Sequence, residues 1–261
     1  MIAFPNAKIN LGLNVVKKRE DGFHDIESCF YPIPWQDCLE VIKADEFSFH
    51  SYGLTIPGDW KSNLCVQAYQ LLQEAYHIPP VEIHLLKQIP MGAGLGGGSS
   101  DGAWTLKLLN GLFELGLSDE SLESLALKLG SDCPFFIRNQ AALAKGKGEF
   151  LTPIDLNLTG YYLGIKNPGI HISTAEAYAG VLPKLPKQLC EDILNAPVNN
   201  WKNLLTNDFE QSVFKNHPEI EAIKGAMYSA GAIYASMTGS GSTVFGIFAN
   251  KINDDWKWLT L

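Results

Sequence analysis

The run Pro90-Met-Gly-Ala-Gly-Leu-Gly-Gly-Gly-Ser-Ser-Asp-Gly-Ala103 sets five glycines ahead of two serine hydroxyls, a sixth just after them, and then an apolar helical period. Glycine admits positive φ and close approach of the backbone to a ligand, and a helix N-terminus presents unpaired N–H groups and a positive dipole end. The combination reads as a phosphate cradle. Ala103, Leu106, Leu109, Leu112 and Phe113 keep the helical period, with Ser99 or Ser100 as N-cap and Asp101 in the first turn. Spacing narrows the chemistry. Gly92, Gly94 and Gly97 satisfy G-x-G-x-x-G, but a dinucleotide site needs an acidic residue about 20 residues on, and Glu114 matches poorly. A P-loop needs Gly-Lys-Ser/Thr, whereas Gly97 and Gly98 run into Ser99, which excludes Walker chemistry. A glycine-rich linker is the plain alternative, and the adjoining helix argues against it.

The rest of the chain can support such a site. At 261 residues and 46% hydrophobic composition it can bury a large core in one big domain or two ordinary ones. The net charge of −8 speaks against general nucleic-acid or membrane-surface binding, with only Lys17, Lys18 and Arg19 forming a small basic cluster. Cys29, Cys38, Cys65, Cys133 and Cys190 are scattered and contain no C-x-x-C pair, so neither a disulfide framework nor a thiolate zinc site is expected. With no membrane-length apolar run and no signal-peptide pattern, a cytoplasmic protein is expected.

Along the chain, Ala7, Ile9, Leu11, Leu13 and Val15 alternate with Asn6, Lys8, Asn10 and Asn14, predicting a strand with one core face and one polar face. A half-buried strand explains the alternation, yet asparagine is a poor strand former, so the polar face around Lys8 also reads as a ligand face. Asp21-Gly22 marks a turn, and strands are expected at Ile26–Phe30, Cys38–Lys43 and Phe47–Phe49. A helix follows from about Asn63 to Tyr76, then a strand with Val81, Ile83 and Leu85 on one face. Leu122, Leu125, Ala126 and Leu129 predict a helix ending on Gly130 as its C′ residue, and Phe135-Phe136-Ile137 reads as a strand. Composition shifts near Thr152-Pro153, giving domains 1–153 and 154–261. Beyond it come an apolar segment at Tyr161–Ile165, a helix over Pro218–Ala230 and a hairpin of Ile233–Met237 with Thr243–Phe248 around Gly239-Ser240-Gly241. Trp256 and Trp258 imply that the tail packs.

Five ordered motifs carry a resemblance: Pro5-Asn-Ala-Lys-Ile-Asn-Leu-Gly-Leu13, Asp21-Gly-Phe-His24, Gly94-Leu-Gly-Gly-Gly-Ser-Ser-Asp101, Gly130-Ser-Asp-Cys-Pro134 and Gly146-Lys-Gly-Glu149. With the turn Thr238-Gly-Ser-Gly-Ser242, they resemble the GHMP kinase superfamily of small-alcohol kinases. More narrowly, they are similar to its branch that acts on cytidylated methylerythritol. The resemblance spans nearly the whole chain.

It implies an α/β two-domain fold, with an N-terminal ribosomal-protein-S5-domain-2-like nucleotide-binding domain and a C-terminal ferredoxin-like substrate domain. It also implies transfer of the γ-phosphate of ATP to the 2-hydroxyl of 4-diphosphocytidyl-2-C-methyl-D-erythritol, within the non-mevalonate route to isoprenoid precursors. No nucleic acid, membrane or obligatory protein partner is expected.

On this resemblance Asp132 is the base and Lys8 the charge-stabilising partner, although a turn-forming aspartate alone would also explain Asp132. ATP would lie along Pro90, Gly92, Gly94, Leu95, Gly96, Gly97, Gly98, Ser99 and Ser100, with Mg²⁺ bridging phosphates through ligands the sequence does not name. Asn63 resembles the adenine-side residue, or serves as a helix N-cap. The substrate set is Asn10, Phe23, His24, Thr174, Tyr178, Gly239 and Ser240. Phe23 stands where the family usually has tyrosine, so a hydroxyl contact is lost there. His24 fits a cytosine edge or a surface turn, Tyr178 a cytosine stack or a core aromatic, and Gly239-Ser240 a closing loop or a plain hairpin turn. Homoserine-type and mevalonate-type kinases, and a nucleotide-binding protein without transferase activity, are the alternatives.

Overall fold

The structure, a computed structural model, describes residues 1–261. In chain order its strands are β1 (Ile2–Ala3), β2 (Asn6–Lys18), β3 (His24–Gln36), β4 (Cys38–Lys43), β5 (Ser48–Gly53), β6 (Val81–Lys87), β7 (Ala142–Gly146), β8 (Phe150–Pro153), β9 (Tyr162–Lys166), β10 (Tyr234–Met237), β11 (Val244–Phe248) and β12 (Lys257–Thr260). Its helices are α1 (Leu64–Tyr76), α2 (Gly97–Leu112), α3 (Asp119–Leu129), α4 (Phe135–Arg138), α5 (Thr174–Ala179), α6 (Cys190–Leu194), α7 (Phe209–Asn216) and α8 (Pro218–Ser229). They form two compact units. The first comprises Met1–Ala7, Trp35–Met91 and Gly96–Gln140, and the second Lys8–Pro34, Gly92–Leu95 and Ala141–Leu261. No change of unit falls at 153, because β2 and β3 share a sheet with β7 and β8 and so join the second unit.

In the first unit the sheet order is β1-β4-β6-β5, with β4 antiparallel and β5 parallel to β6. The expected alternation in β6 is present: Val81, Ile83 and Leu85 are fully buried, and Ile83 lies opposite Val41. α1 packs on α2, joining Cys65, Ala68 and Leu72 to Ala103, Leu106 and Leu109 in the core. Each such leucine contributes about 1.5–3 kcal/mol by its burial. Asn63 caps α1, its Oδ1 accepting from Cys65 N–H at 2.9 Å. Two local expectations change. Phe135-Phe136-Ile137 is a turn of helix, not a strand, since three buried apolar residues in a row satisfy either conformation. α3 does end at Leu129, but Gly130 has φ 169°, which any residue adopts, so its end does not depend on a left-handed glycine.

The second unit holds two sheets, of order β2-β3-β7-β8 and β10-β11-β9-β12. The hairpin is as expected: Met237 faces Val244 and Tyr234 faces Ile247 across an antiparallel pair. The tail adds β12, antiparallel to β9, with Trp258 opposite Gly164. A Cβ at Gly164 would stand 3.1 Å from Trp256 and 3.4 Å from Trp258, so the missing side chain makes room for both indoles. Phe209 and Val213 of α7 and Ile220 and Met227 of α8 pack with Leu13, Val15, Met237, Val244 and Phe248 in one cluster.

Candidate functional site

The glycine loop turns on residues in the left-handed region, with φ 61° at Gly92, 76° at Gly94 and 70° at Gly96. Gly96 is the N-cap of α2, so Gly97, Gly98, Ser99 and Ser100 are its first helical residues. The expected serine cap is thereby corrected: a left-handed glycine ends the loop, and the helix starts earlier than the hydroxyls suggest. The first ladder bond runs from Ser100 N–H to Gly96 O at 2.9 Å. The N–H groups of Gly97, Gly98 and Ser99 therefore lack intrahelical acceptors and point out of the helix, an arrangement that can receive an anion. A Cβ on Gly98 would meet only Met91 Cε at 3.7 Å, whereas one on Gly97 would meet Ile89 at 2.8 Å and Lys87 Nζ at 2.9 Å. Gly98 thus leaves open space, and Gly97 serves packing. Ser100 Oγ is buried without a protein partner.

Asp101 is turned inward rather than displayed in the first turn. Its Oδ2 accepts from Lys87 Nζ at 2.7 Å, and Lys87 also donates to Asp37 Oδ2. Asp37 Oδ1 accepts from the backbone N–H of Gln88 at 2.5 Å and of Ile89 at 2.8 Å. Burial pushes the Asp101 carboxyl up to about 8, with Lys87 opposing and Asp37 reinforcing the shift. Burial works against the Lys87 charge, but the two carboxyl neighbours outweigh it and hold the ammonium above its ordinary value. This cluster fixes the strand end beneath Gly97. No local pattern signals it, because three charged residues far apart in the chain look like surface residues.

Asp132 sits half-buried in the turn between α3 and α4. Its neighbour Cys133 is buried and bonded to the Ser99 side chain, which ties this turn to the first turn of α2 within the same unit. Burial pushes the Cys133 thiol up to about 12, against the pull of Ser99 and with the help of Asp132, so it is no nucleophile.

In the second unit the polar face of β2 is buried. Lys8 is 3% exposed, lies over the Phe30 ring at 4.6 Å, and donates to Asn10 Oδ1 at 2.5 Å. Asn10 Nδ2 donates to Ser28 Oγ at 2.9 Å, and Asn10 N–H donates to Thr238 Oγ1 at 3.0 Å. The Thr238 hydroxyl reaches Gly94 O at 3.0 Å, and Lys8 N–H donates to Leu95 O at 2.9 Å. A Cβ on Gly94 would stand 2.0 Å from Thr238 O, and one on Gly239 3.1 Å from Gly94 Cα. The first strand, the tip of the glycine loop and the second glycine turn therefore form one hydrogen-bonded assembly. Gly239 is buried within it and Ser240 is half-buried at its edge. Thr238 was legible only as part of a turn motif, and Asn207, which holds that turn, not at all.

His24 and Tyr178 stack at 4.5 Å and 16°, and Tyr178 also meets Phe209 edge-on at 4.7 Å. The distant segments predicted to hold a base thus form one aromatic surface. Burial and the charge of Lys18 lower the His24 pKa, keeping a neutral ring with one donor and one acceptor nitrogen. Phe23 is 56% exposed, with Lys147 Nζ 4.6 Å over its ring, which links Asp21–His24 to the Gly146–Glu149 motif. Thr174 is exposed at the first residue of α5, while Ser173 caps that helix.

Comparison with known proteins matches residues 63–140 to the GHMP kinases N terminal domain and 189–255 to the GHMP kinases C terminal family. A 4-diphosphocytidyl-2-C-methyl-D-erythritol kinase of Cytophaga hutchinsonii is 55% identical over 252 residues, covering 96% of this chain and 93% of that protein. A crystal structure of 4-(cytidine 5'-diphospho)-2C-methyl-D-erythritol kinase superposes with TM-score 0.81 at 35% identity, covering 95% of this chain and 90% of that one. A homoserine kinase from Cytophaga hutchinsonii reaches TM-score 0.67 at 16% identity, over 94% of this chain and 85% of that one, a likeness of fold alone.

Proposed function

The chain belongs to the 4-diphosphocytidyl-2-C-methyl-D-erythritol kinase family of the two-domain GHMP kinases, and from that premise we propose how its residues divide the reaction. The γ-phosphoryl group of ATP moves to the 2-hydroxyl of 4-diphosphocytidyl-2-C-methyl-D-erythritol, giving the 2-phosphate and ADP in the non-mevalonate route to isoprenoid precursors. Residues 1–153 carry the ATP-binding segment and also Asn10, Phe23 and His24 of the substrate set, and 154–261 carry the substrate segment with Thr174 and Tyr178.

A tertiary alcohol is a poor nucleophile, so its proton must leave as the phosphorus is approached. Asp132 takes that proton. The alcohol oxygen bonds to the γ-phosphorus while the bond to the β–γ bridging oxygen breaks and ADP departs. Lys8 lies opposite developing negative charge on the transferred group, held by Asn10, whose amide keeps a second N–H for the acceptor end. The triphosphate takes the unpaired N–H groups at Gly97, Gly98 and Ser99, with Pro90, Gly92, Gly94, Leu95 and Gly96 shaping the approach. The first turn of α2 fits Mg²⁺ as well, since Ser100 Oγ is a buried oxygen without a protein partner. When bound, the ion neutralises phosphate charge, and Ser99 and Ser100 are the residues to hold it. Asn63 reads the adenine through its Nδ2, its Oδ1 being engaged at Cys65.

Tyr178 and His24 take the cytosine, Phe23 covers it, Thr174 contacts the substrate, and Gly239 and Ser240 close over the acceptor. The substrate is a small molecule, and the compartment is the cytoplasm. No helix is long and apolar enough to cross a membrane. The observation that carries these roles is the hydrogen-bonded path from Lys8 through Asn10 and Thr238 to the glycine loop. The test is ADP release with ATP, Mg²⁺ and the cytidylated acceptor against homoserine, mevalonate and no acceptor. Turnover with the cytidylated acceptor alone is expected, and turnover with homoserine or mevalonate instead would refute the reading.

A further inference from the structure

Thr238 is fully buried at the start of the second glycine turn, yet its hydroxyl is the junction of three chain segments. It accepts from Asn10 N–H at 3.0 Å, and its proton lies between Gly94 O at 3.0 Å and Asn10 Oδ1 at 3.3 Å. Asn10 Oδ1 is the same atom that receives Lys8 Nζ. The turn is gripped from its other side by a short segment ahead of α7. Asn207 Nδ2 donates to Met237 O at 2.8 Å and Gly239 O at 2.9 Å, while its Oδ1 accepts from Phe209 N–H at 3.0 Å. Glu210 Oε1 accepts from Met237 N–H at 2.9 Å, and its Oε2 is held by Lys224 at 2.6 Å. The same segment is bonded to β2: Leu13 N–H to Thr206 O, Asp208 N–H to Leu13 O and Val15 N–H to Asp208 Oδ2, each at 2.8 Å.

A hairpin turn needs no such grip to form, since the glycines supply its φ values and the ladder its register. Bonds from both flanks fix one thing that a free turn would not, which is where the Thr238 hydroxyl sits.

We propose that Thr238, held in place by Asn207, is a positioning residue that fixes Asn10 and through it the direction of the Lys8 ammonium, while locking the glycine-loop tip at Gly94. The proposal rests on the role of Lys8 given above. Removing the hydroxyl leaves Lys8 present but less precisely aimed, a loss expressed in turnover rather than in substrate affinity.

The experiment measures kcat, KM for ATP and for the cytidylated acceptor, and melting temperature for Thr238→Val, Thr238→Ser and Asn207→Asp, each with Lys8 intact and in a Lys8→Met background. With Lys8 intact, Thr238→Val lowers kcat about tenfold, the effect of one lost hydrogen bond at a reacting geometry, with acceptor KM changed less than about twofold. Thr238→Ser, which keeps the hydroxyl, recovers most of the loss. Asn207→Asp keeps the acceptor for Phe209 but removes both donors to the turn, and it shows the same kcat fall should Thr238→Val not fold. In the Lys8→Met background neither substitution lowers kcat further, because a group acting through Lys8 has nothing left to position. An equal fall in both backgrounds, or a Thr238→Ser variant as slow as Thr238→Val, overturns the proposal and leaves the role of Lys8 intact. Undiminished turnover in Lys8→Met alone overturns the role of Lys8 itself, and the proposal with it.

Discussion

Replacing Lys87 by methionine keeps the volume of the side chain and removes its charge from a site where Lys87 and Asp37 side chains are 0% exposed and Asp101 is 3% exposed. Asp37 then faces the apolar interior with only its two backbone donors, and Asp101 Oδ2 loses its partner while Oδ1 has none already. Removing one member of a buried charge cluster costs about 3–5 kcal/mol, a large share of a total near 5–15 kcal/mol. At about 2–4 °C per kcal/mol for a chain of this size, the melting temperature falls by roughly 6–20 °C.

Asp101→Asn is the informative control. With its carboxyl pushed up to about 8, Asp101 takes a proton far more readily than an ordinary carboxyl, so an amide of the same shape is tolerated at a fraction of that cost. The sign of the pH dependence follows from the raised value. Between the ordinary carboxylate range and about 8 the folded state keeps a proton that the unfolded chain has released. The contribution is full at low pH and is lost as pH rises through the folded value. The stability difference between wild type and Asp101→Asn therefore narrows from pH 5 to pH 8 in thermal or urea melts. Lys87→Met melting within about 2 °C of wild type, or Asp101→Asn falling as far as Lys87→Met at pH 7, would refute this account of the cluster.

Three further outcomes are expected. Asp132→Asn lowers kcat at least about 10²-fold with fluorescent-nucleotide binding retained, and unchanged turnover would remove Asp132 from the chemistry. Tyr178→Ala weakens binding of the cytidylated acceptor by about 1–3 kcal/mol, a rise in its dissociation constant of roughly 5- to 150-fold by calorimetry, while ATP affinity stays put. Gly94→Ala introduces a Cβ 2.0 Å from Thr238 O at a φ of 76°, so the loop must move. KM for ATP rises and the melting temperature drops, and a silent substitution would show that the loop tip is not held as described.

Most of the longer elements with one apolar face were legible in the sequence, although α7, which buries Phe209 and Val213, was not. The alternation in β2 and β6, the periods of α1, α2, α3 and α8, and the hairpin of β10 and β11 all follow from residues whose burial dominates their placement. Phe135–Ile137 was misread because a short apolar run has no period to distinguish strand from helix. The start of α2 was misplaced because serine is the commoner cap, and only the φ of Gly96 shows that glycine does that work here. Of the candidate site, the motifs marked neighbourhoods that the structure joins in part, His24 to Tyr178 and the Lys8 strand to both glycine turns.

What the sequence could not disclose is the set of buried polar residues that hold those neighbourhoods together. A polar side chain is placed by its partners, and partners distant in the chain leave no local pattern. Lys8, Asn10, Thr238 and Asn207 are all at most 3% exposed, so each must find hydrogen-bond partners inside the protein or cost the fold more than it contributes. That requirement turns the polar face of β2 into a precise support: Asn10 Nδ2 donates to Ser28, its Oδ1 accepts from Lys8, and its backbone N–H donates to the Thr238 hydroxyl. Asn10, which sits on what looked like a ligand face, holds a lysine in place. An ammonium fixed by such a network loses little entropy when it meets a phosphoryl group, which is the condition under which one charge most lowers a barrier.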